Sequence, residues 1–270
     1  MTSIITKPIK RFFAIGCSFT TYDWTTWAEI VAQDLNVDEY YNLGKCGGGN
    51  EFMFNRLMQI DELYNLNRHD LVMICWTNIC REDRYIGEWL TSGNIYTQYI
   101  YPDEFVKKYY QYPEHVALHD FAYIKASRML LEYKKVQWHF LQMMSLFDFA
   151  NQWVHHPMHI TEFNVLVEPE RPFLKKSFYD VLWDNDLQKN KLEKEKKIFK
   201  KIDGHPSPGE HLKYLQAIFP DHKWKESTLD LVNQRNNEHY NNFKNLKSNE
   251  NVWDLKFTPL KKSLEPKLIF

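Results

Sequence analysis

The run Leu71-Val72-Met73-Ile74-Cys75-Trp76 has no polar side chain on either face. A strand made of it must be covered on both sides, as the strands of a parallel sheet are. Two shorter β-rich runs precede it, Arg11 to Gly16 and Glu39 to Leu43. Between the three lie segments of helical spacing: Trp24 to Leu35, with Trp27, Ile30, Val31 and Leu35, and Asn50 to Tyr64, with Phe54, Leu57, Met58 and Leu63. Strand, helix, strand, helix, strand predicts an α/β fold, a flavodoxin-like three-layer sandwich around a central parallel sheet. Asp120 to Tyr133, with Asp120 as its cap, and Val136 to Met143 repeat the unit as a helix and a fourth strand. Pro208 to Phe219 reads as a last core helix, with His211, Leu212, Leu215 and Ile218 on one side and Pro in its first turn.

The rest lacks a clean period. Residues 82–118, rich in tyrosine, and 145–200 read as irregular insertions, and the Lys-rich stretch 189–201 reads as a solvated helix face. The expected organisation is one α/β domain over 1–225 and an Asn-rich extension over 226–270. Its apolar end, Leu268-Ile269-Phe270, is expected to dock on the body or, in a homo-oligomer, on a second copy.

Charge and cysteine use narrow the function classes. Lys and Arg number 34 against 35 Asp and Glu, so no global field draws the chain to nucleic acid or an anionic membrane. No stretch approaches the roughly 18 apolar residues of a membrane span. Phe12 to Ile15 is too short for the apolar region of a secretion leader, which needs about 7 to 15 residues, so a cytoplasmic chain is expected. Cys17, Cys46, Cys75 and Cys80 all fall in the first third and form no Cys-x2-Cys pair, which predicts reduced thiols and no structural zinc. His155, His156 and His159, with Pro157 among them, read as a solvated loop. No metal or organic cofactor is expected.

The chain has nine glycines, and seven sit in three loops: Gly16; Gly44, Gly47, Gly48 and Gly49; and Gly204 and Gly209. The first two loops follow strands 1 and 2, so they meet in the crevice at the carboxyl ends of the sheet, beside Trp76-Thr77-Asn78 at the end of strand 3. Neither Gly-x4-Gly-Lys-Ser/Thr nor Gly-x-Gly-x-x-Gly is present, which argues against a phosphate cradle. Acyl transfer fits better. Ser18 is a candidate nucleophile, inert until a base takes its proton; His205 is that base, and Asp203 orients the imidazole. The backbone N–H groups of Ser18 and Gly47 and the side-chain amide of Asn78 are candidate donors to a tetrahedral oxyanion. Trp76, Thr77 and Arg81 are candidate substrate contacts, and Trp24 and Trp76 candidate floors for a sugar. The plainer alternatives are a turn serine at 18, a loop histidine at 205 and core tryptophans. Cys17 is a weaker rival nucleophile, because neighbouring side chains leave a strand in opposite directions.

These residues resemble the SGNH (GDSL-type) hydrolases. Gly16-Cys17-Ser18-Phe19-Thr20 is similar to that family's Gly-Asp-Ser-like first block, Asn42 to Gly47 to its second, Asn78 past strand 3 to its third, and Asp203-Gly204-His205-Pro206-Ser207 to its fifth. The resemblance runs from residue 11 to about 220. It implies a serine esterase with Ser18 as nucleophile, Gly47 and Asn78 in the oxyanion hole and His205 with Asp203 as base and partner. The substrate implied is a small acyl, in the first instance acetyl, ester of a small molecule or glycan. An acyltransferase and a non-catalytic binding or structural protein share the fold. Two departures stand out. The family's aspartate lies three residues before its histidine, where this chain has Ile202. Bulky Trp76 and Thr77 precede Asn78, which leaves Arg81 or Thr77 as alternatives facing the pocket.

Overall fold

A computed structural model describes residues 3–79, 81–95, 101–110, 113–147, 167–247 and 249–265. Its strands are β1 (Arg11–Gly16), β2 (Glu39–Asn42), β3 (Asp70–Trp76), β4 (Arg81–Tyr85), β5 (Trp89–Asn94), β6 (Gln137–Gln142) and β7 (Leu174–Ser177). Five of them form a parallel sheet in the order β2-β1-β3-β6-β7, and β4 and β5 form a separate antiparallel hairpin. The helices are α1 (Trp27–Leu35), α2 (Asn50–Tyr64), α3 (Asp103–Tyr109), α4 (Pro113–Tyr133), α5 (Phe178–Trp183), α6 (Pro208–Ile218) and α7 (Glu226–Asn245). The chain is an α/β sandwich, as the strand and helix periods predict.

Two adjacent residues of β1 show why there are three layers. Side chains alternate across a strand, so Phe12 and Phe13 point to opposite faces. Phe12 stacks on Tyr40 and meets Trp27 of α1. Phe13 stacks on Tyr41 and meets the edge of Tyr64 of α2. Each helix therefore covers its own side, and β3, between β1 and β6, is buried at every position. At the amino end of the sheet Arg11 grips buried Asp70 through two bonds of 2.7 and 2.8 Å. That paired charge ties β1 to β3 in register.

Several expectations need correction. Helix α4 starts at Pro113, so Asp120 is not its cap; it lies inside the helix, buried, and accepts from Asn50 Nδ2 at 2.7 Å. Residues 82–118 are not irregular throughout, since they hold most of the β4–β5 hairpin, α3 and the first turns of α4. Within 145–200, β7 completes the sheet and α5 follows it, started by a reciprocal cap between Ser177 and Asp180. The Lys-rich stretch is not wholly solvated: Lys191 is buried, with its ammonium 2.8 Å from Glu195 and 2.6 Å from Glu210. The Asn-rich extension folds as α7, which packs on α6 and α1 and buries Val232, His239 and Phe243. Cys17 and Cys75 are buried free thiols and Cys46 is exposed. Cys80, the three histidines at 155–159 and the final Leu268-Ile269-Phe270 lie outside the described residues. Among the described residues no helix is long and apolar enough to cross a membrane, and no three potential ligands are grouped to hold a metal ion.

Candidate active site

Strands β2, β1 and β3 are neighbours, so their carboxyl ends bring the loops after Asn42, Gly16 and Trp76 together. A Cβ on Gly16 would lie 2.0 Å from Thr20 Oγ1 and 3.2 Å from Cys75, so only glycine allows the chain to turn sharply here. The turn is closed by the N–H groups of Thr20 and Thr21, both donating to the Cys17 carbonyl. Thr26 Oγ1 and Asn42 Nδ2 hold the Thr20 carbonyl from outside. Ser18 sits at this turn, 7% exposed, while Cys17 is fully buried with its sulfur against Met143. The loop after β2 lies alongside, its Lys45 N–H donating to the Gly16 carbonyl. Gly47 in that loop has φ +75, and a Cβ there would meet the Thr91 carbonyl at 2.4 Å, so backbone and hairpin both demand glycine. Neither Ser18 N–H nor Gly47 N–H enters a backbone hydrogen bond among the described residues.

His205 comes from the loop that starts α6. Ser207 and Glu210 cap that helix reciprocally, Pro208 occupies its first turn, and Glu210 is held in turn by Trp183 Nε1 and Lys191. Trp24 Nε1 donates to the Pro206 carbonyl at 2.8 Å. So fixed, His205 Nε2 lies 2.9 Å from Ser18 Oγ and Nδ1 lies 2.6 Å from Asp203 Oδ1. Asp203 reaches the ring despite its short spacing because the chain folds back on itself. The His205 backbone N–H donates to the same Oδ1 at 2.7 Å, a turn in which Asp bonds the amide two residues on. The second oxygen, Oδ2, accepts from Tyr22 Oη at 2.8 Å. Burial pushes the Asp203 carboxyl up, but the bonds from His205 and Tyr22 outweigh it and hold the group below the usual carboxylate range. Tyr22 also stacks on the imidazole, with centroids 3.8 Å apart, and Phe19 meets its edge.

Beyond β3, Asn78 is fully buried. Its Oδ1 accepts from Thr77 Oγ1 at 3.2 Å and Arg81 Nε at 3.1 Å. Its Nδ2 has no partner among the described residues. A buried donor left open costs about 1–3 kcal/mol and calls for an explanation such as a role in chemistry. Arg81 also donates to the Gly48 carbonyl at 2.9 Å, which ties the Asn78 segment to the Gly47 loop. Asn50 accepts from Thr77 N–H at 3.0 Å and pins the same segment. Asp83 accepts from Gly49 N–H and Phe52 N–H, both at 2.8 Å, and so caps α2, whose Gly49 has no side chain to do it.

Ser18, His205 and Asp203 are thus brought into one hydrogen-bonded line, with Gly47 and Asn78 on loops tied to each other. Of the residues named as candidate substrate contacts or sugar floors, Trp76 packs on Phe140 and Trp24 on His239 and Phe243 in the core, and Thr77 is buried like Asn78. Tyr22, Asn50 and Asp83 were missed. Tyr22 meets Asp203 across 181 residues of chain and gives no local signal; Asn50, ending the glycine loop at the start of α2, was the one detectable cue.

No protein-family model matches the chain, and no curated protein does. Among solved structures it is similar to a G-D-S-L family protein from Desulfitobacterium hafniense, at 19% identity over 77% of this chain and 99% of that one, with a TM-score of 0.44. A GDSL-like lipase from Bacteroides thetaiotaomicron is 14% identical over 80% of this chain and 90% of its own, with a TM-score of 0.41. A member of the lipolytic protein G-D-S-L family from Veillonella parvula is 12% identical over 76% and 94%, with a TM-score of 0.40. At such loose superposition the chemistry has to be read from this chain's own atoms.

Proposed function

We propose that the chain is a serine esterase of the SGNH type acting on a small acyl ester. The observation that carries this reading is the line from Ser18 Oγ through His205 to Asp203, with contacts of 2.9 and 2.6 Å. His205 Nε2 accepts the Ser18 proton as Oγ attacks the ester carbonyl, and the imidazolium is stabilised by ionised Asp203 at Nδ1. The carbonyl oxygen gains the negative charge, for which Ser18 N–H, Gly47 N–H and Asn78 Nδ2 are the donors. Nε2 then gives its proton to the departing alkoxide, leaving an acyl-serine. Water, deprotonated by the same nitrogen, attacks that ester, and the carboxylic acid leaves as Ser18 regains its proton. A nucleophile only 7% exposed favours a short acyl group, acetyl first.

Turnover of p-nitrophenyl acetate tests the reading. The wild type is expected to hydrolyse it, S18A to lose turnover, and D203N to lose about 10³–10⁴-fold in kcat. Equal rates for wild type and S18A would overturn it.

A further inference from the structure

Arg81 opens β4, three residues past Asn78, and its place there is fixed. Asp83, two residues on, accepts from the Gly49 and Phe52 N–H groups, and a Cβ on Gly49 would lie 2.9 Å from Arg81 Cβ, so only glycine lets the arginine approach this closely. Each of its three side-chain nitrogens faces a protein acceptor. Nε donates to Asn78 Oδ1 at 3.1 Å, Nη1 donates to the Gly48 carbonyl at 2.9 Å, and Nη2 lies 3.6 Å from Met143 Sδ. A planar fork held at all three nitrogens is set to orient its neighbours.

Asn78 is the neighbour for which orientation matters. A primary amide turned over about its last bond exchanges oxygen for nitrogen with almost no change of shape, so its hydrogen-bond partners decide which end points where. Two groups touch Oδ1. Thr77 Oγ1, at 3.2 Å, decides nothing, because a hydroxyl donates or accepts and this one has a second acceptor in Met143 Sδ at 3.6 Å. Arg81 does decide. Its guanidinium carries donors alone and stays charged, so a turned amide would set N–H against N–H at 3.1 Å in a fully buried position. Oδ1 is therefore held towards Arg81, and Nδ2, which has no partner among the described residues, is the end left for the oxyanion. In the turned state a carbonyl lone pair would face the developing negative charge and repel it.

We propose that Arg81 is a positioning residue of the oxyanion hole, holding the Asn78 side-chain amide with its N–H end open to the reacting carbonyl. This rests on the esterase reading above. Turnover of p-nitrophenyl acetate by R81M and R81K, each in the wild-type and the N78A background, tests it. R81M keeps the length and loses the donors. Its kcat is expected to fall about 10–100-fold with KM within about twofold, since the orientation matters only once charge develops. R81K, which donates and cannot accept, should recover most of that loss. In N78A there is no amide to orient, so R81M should cost less than about twofold more. No fall in R81M would overturn the proposal, and so would an equal fall in both backgrounds, which would place the effect in the Gly48 bond or the packing of β4. Should R81M fail to fold, R81Q replaces it, because a glutamine accepts as well as donates and so admits the turned amide. A second measurement needs no turnover. The Asn78 side-chain N–H pair, observed by NMR with isotopically labelled asparagine and assigned by its loss in N78A, should shift in R81M and stay near its wild-type position in R81K. If the wild type shows no Ser18-dependent hydrolysis, the esterase reading falls and this signal decides: a shift in R81M alone keeps Arg81 as the group that orients Asn78, and an unmoved pair removes it.

Discussion

Asp203 stands two residues before His205, and at that spacing a carboxylate reaches the ring only if something else fixes it. Here the His205 backbone N–H takes one oxygen and Tyr22 the other. Y22F removes the hydroxyl and keeps the stack on the imidazole. Asp203 loses a donor to its charged form, so its pKa should rise in a carboxyl-carbon NMR titration, with kcat/KM down several-fold. An Asp203 titration unmoved in Y22F would show that Tyr22 packs but does not tune the carboxylate. For Asn78, N78A should cost about 10²–10³ in kcat with little change in KM, since its open Nδ2 is offered to charge that exists only in the transition state. Ser18, Gly47, Asn78 and His205 were legible as candidates because glycine loops and strand ends confine them. Tyr22 was not, since its partner is fixed only by the folded chain.

At the level of elements, strands buried on both faces announced themselves and the edge strand did not. β7 reads Leu-Lys-Lys-Ser, three of its four side chains polar, as suits a strand at the edge of the sheet, where lysines discourage further pairing. Helix α4 was read seven residues short, since Asp120 looks like a cap when its partner Asn50 is out of sight. The β4–β5 hairpin is locked to α2 through Asp83, which binds two amides that would otherwise be open. D83A should therefore destabilise the protein by about 2–4 kcal/mol in urea unfolding, as two buried donors lose their acceptor. A loss below about 0.5 kcal/mol, typical of an unconstrained surface site, would contradict that role.

Across the whole molecule, the Asn-rich extension is part of one body. α7 closes over Trp24, whose indole meets His239, Phe243 and Phe257 while its N–H holds Pro206 next to His205. Its polar composition concealed this, because a helix needs only one apolar stripe to dock. Burial pushes His239 and His139 down to about 4. In the unfolded chain both protonate near 6.5, so between pH 6.5 and about 4 the unfolded state holds more protons and stability falls as pH falls, levelling off below. The difference in unfolding free energy, wild type minus H239M, should therefore fall as pH falls across that window; a difference independent of pH there would contradict the assignment. The central claim, that Ser18 is an activated nucleophile, is tested most directly by intact mass after treatment with a fluorophosphonate. One adduct on the wild type, mapped to Ser18 and absent from S18A and strongly slowed in a His205→Ala variant, is the predicted result. A folded protein that takes no adduct, or takes it equally in S18A, would contradict the account.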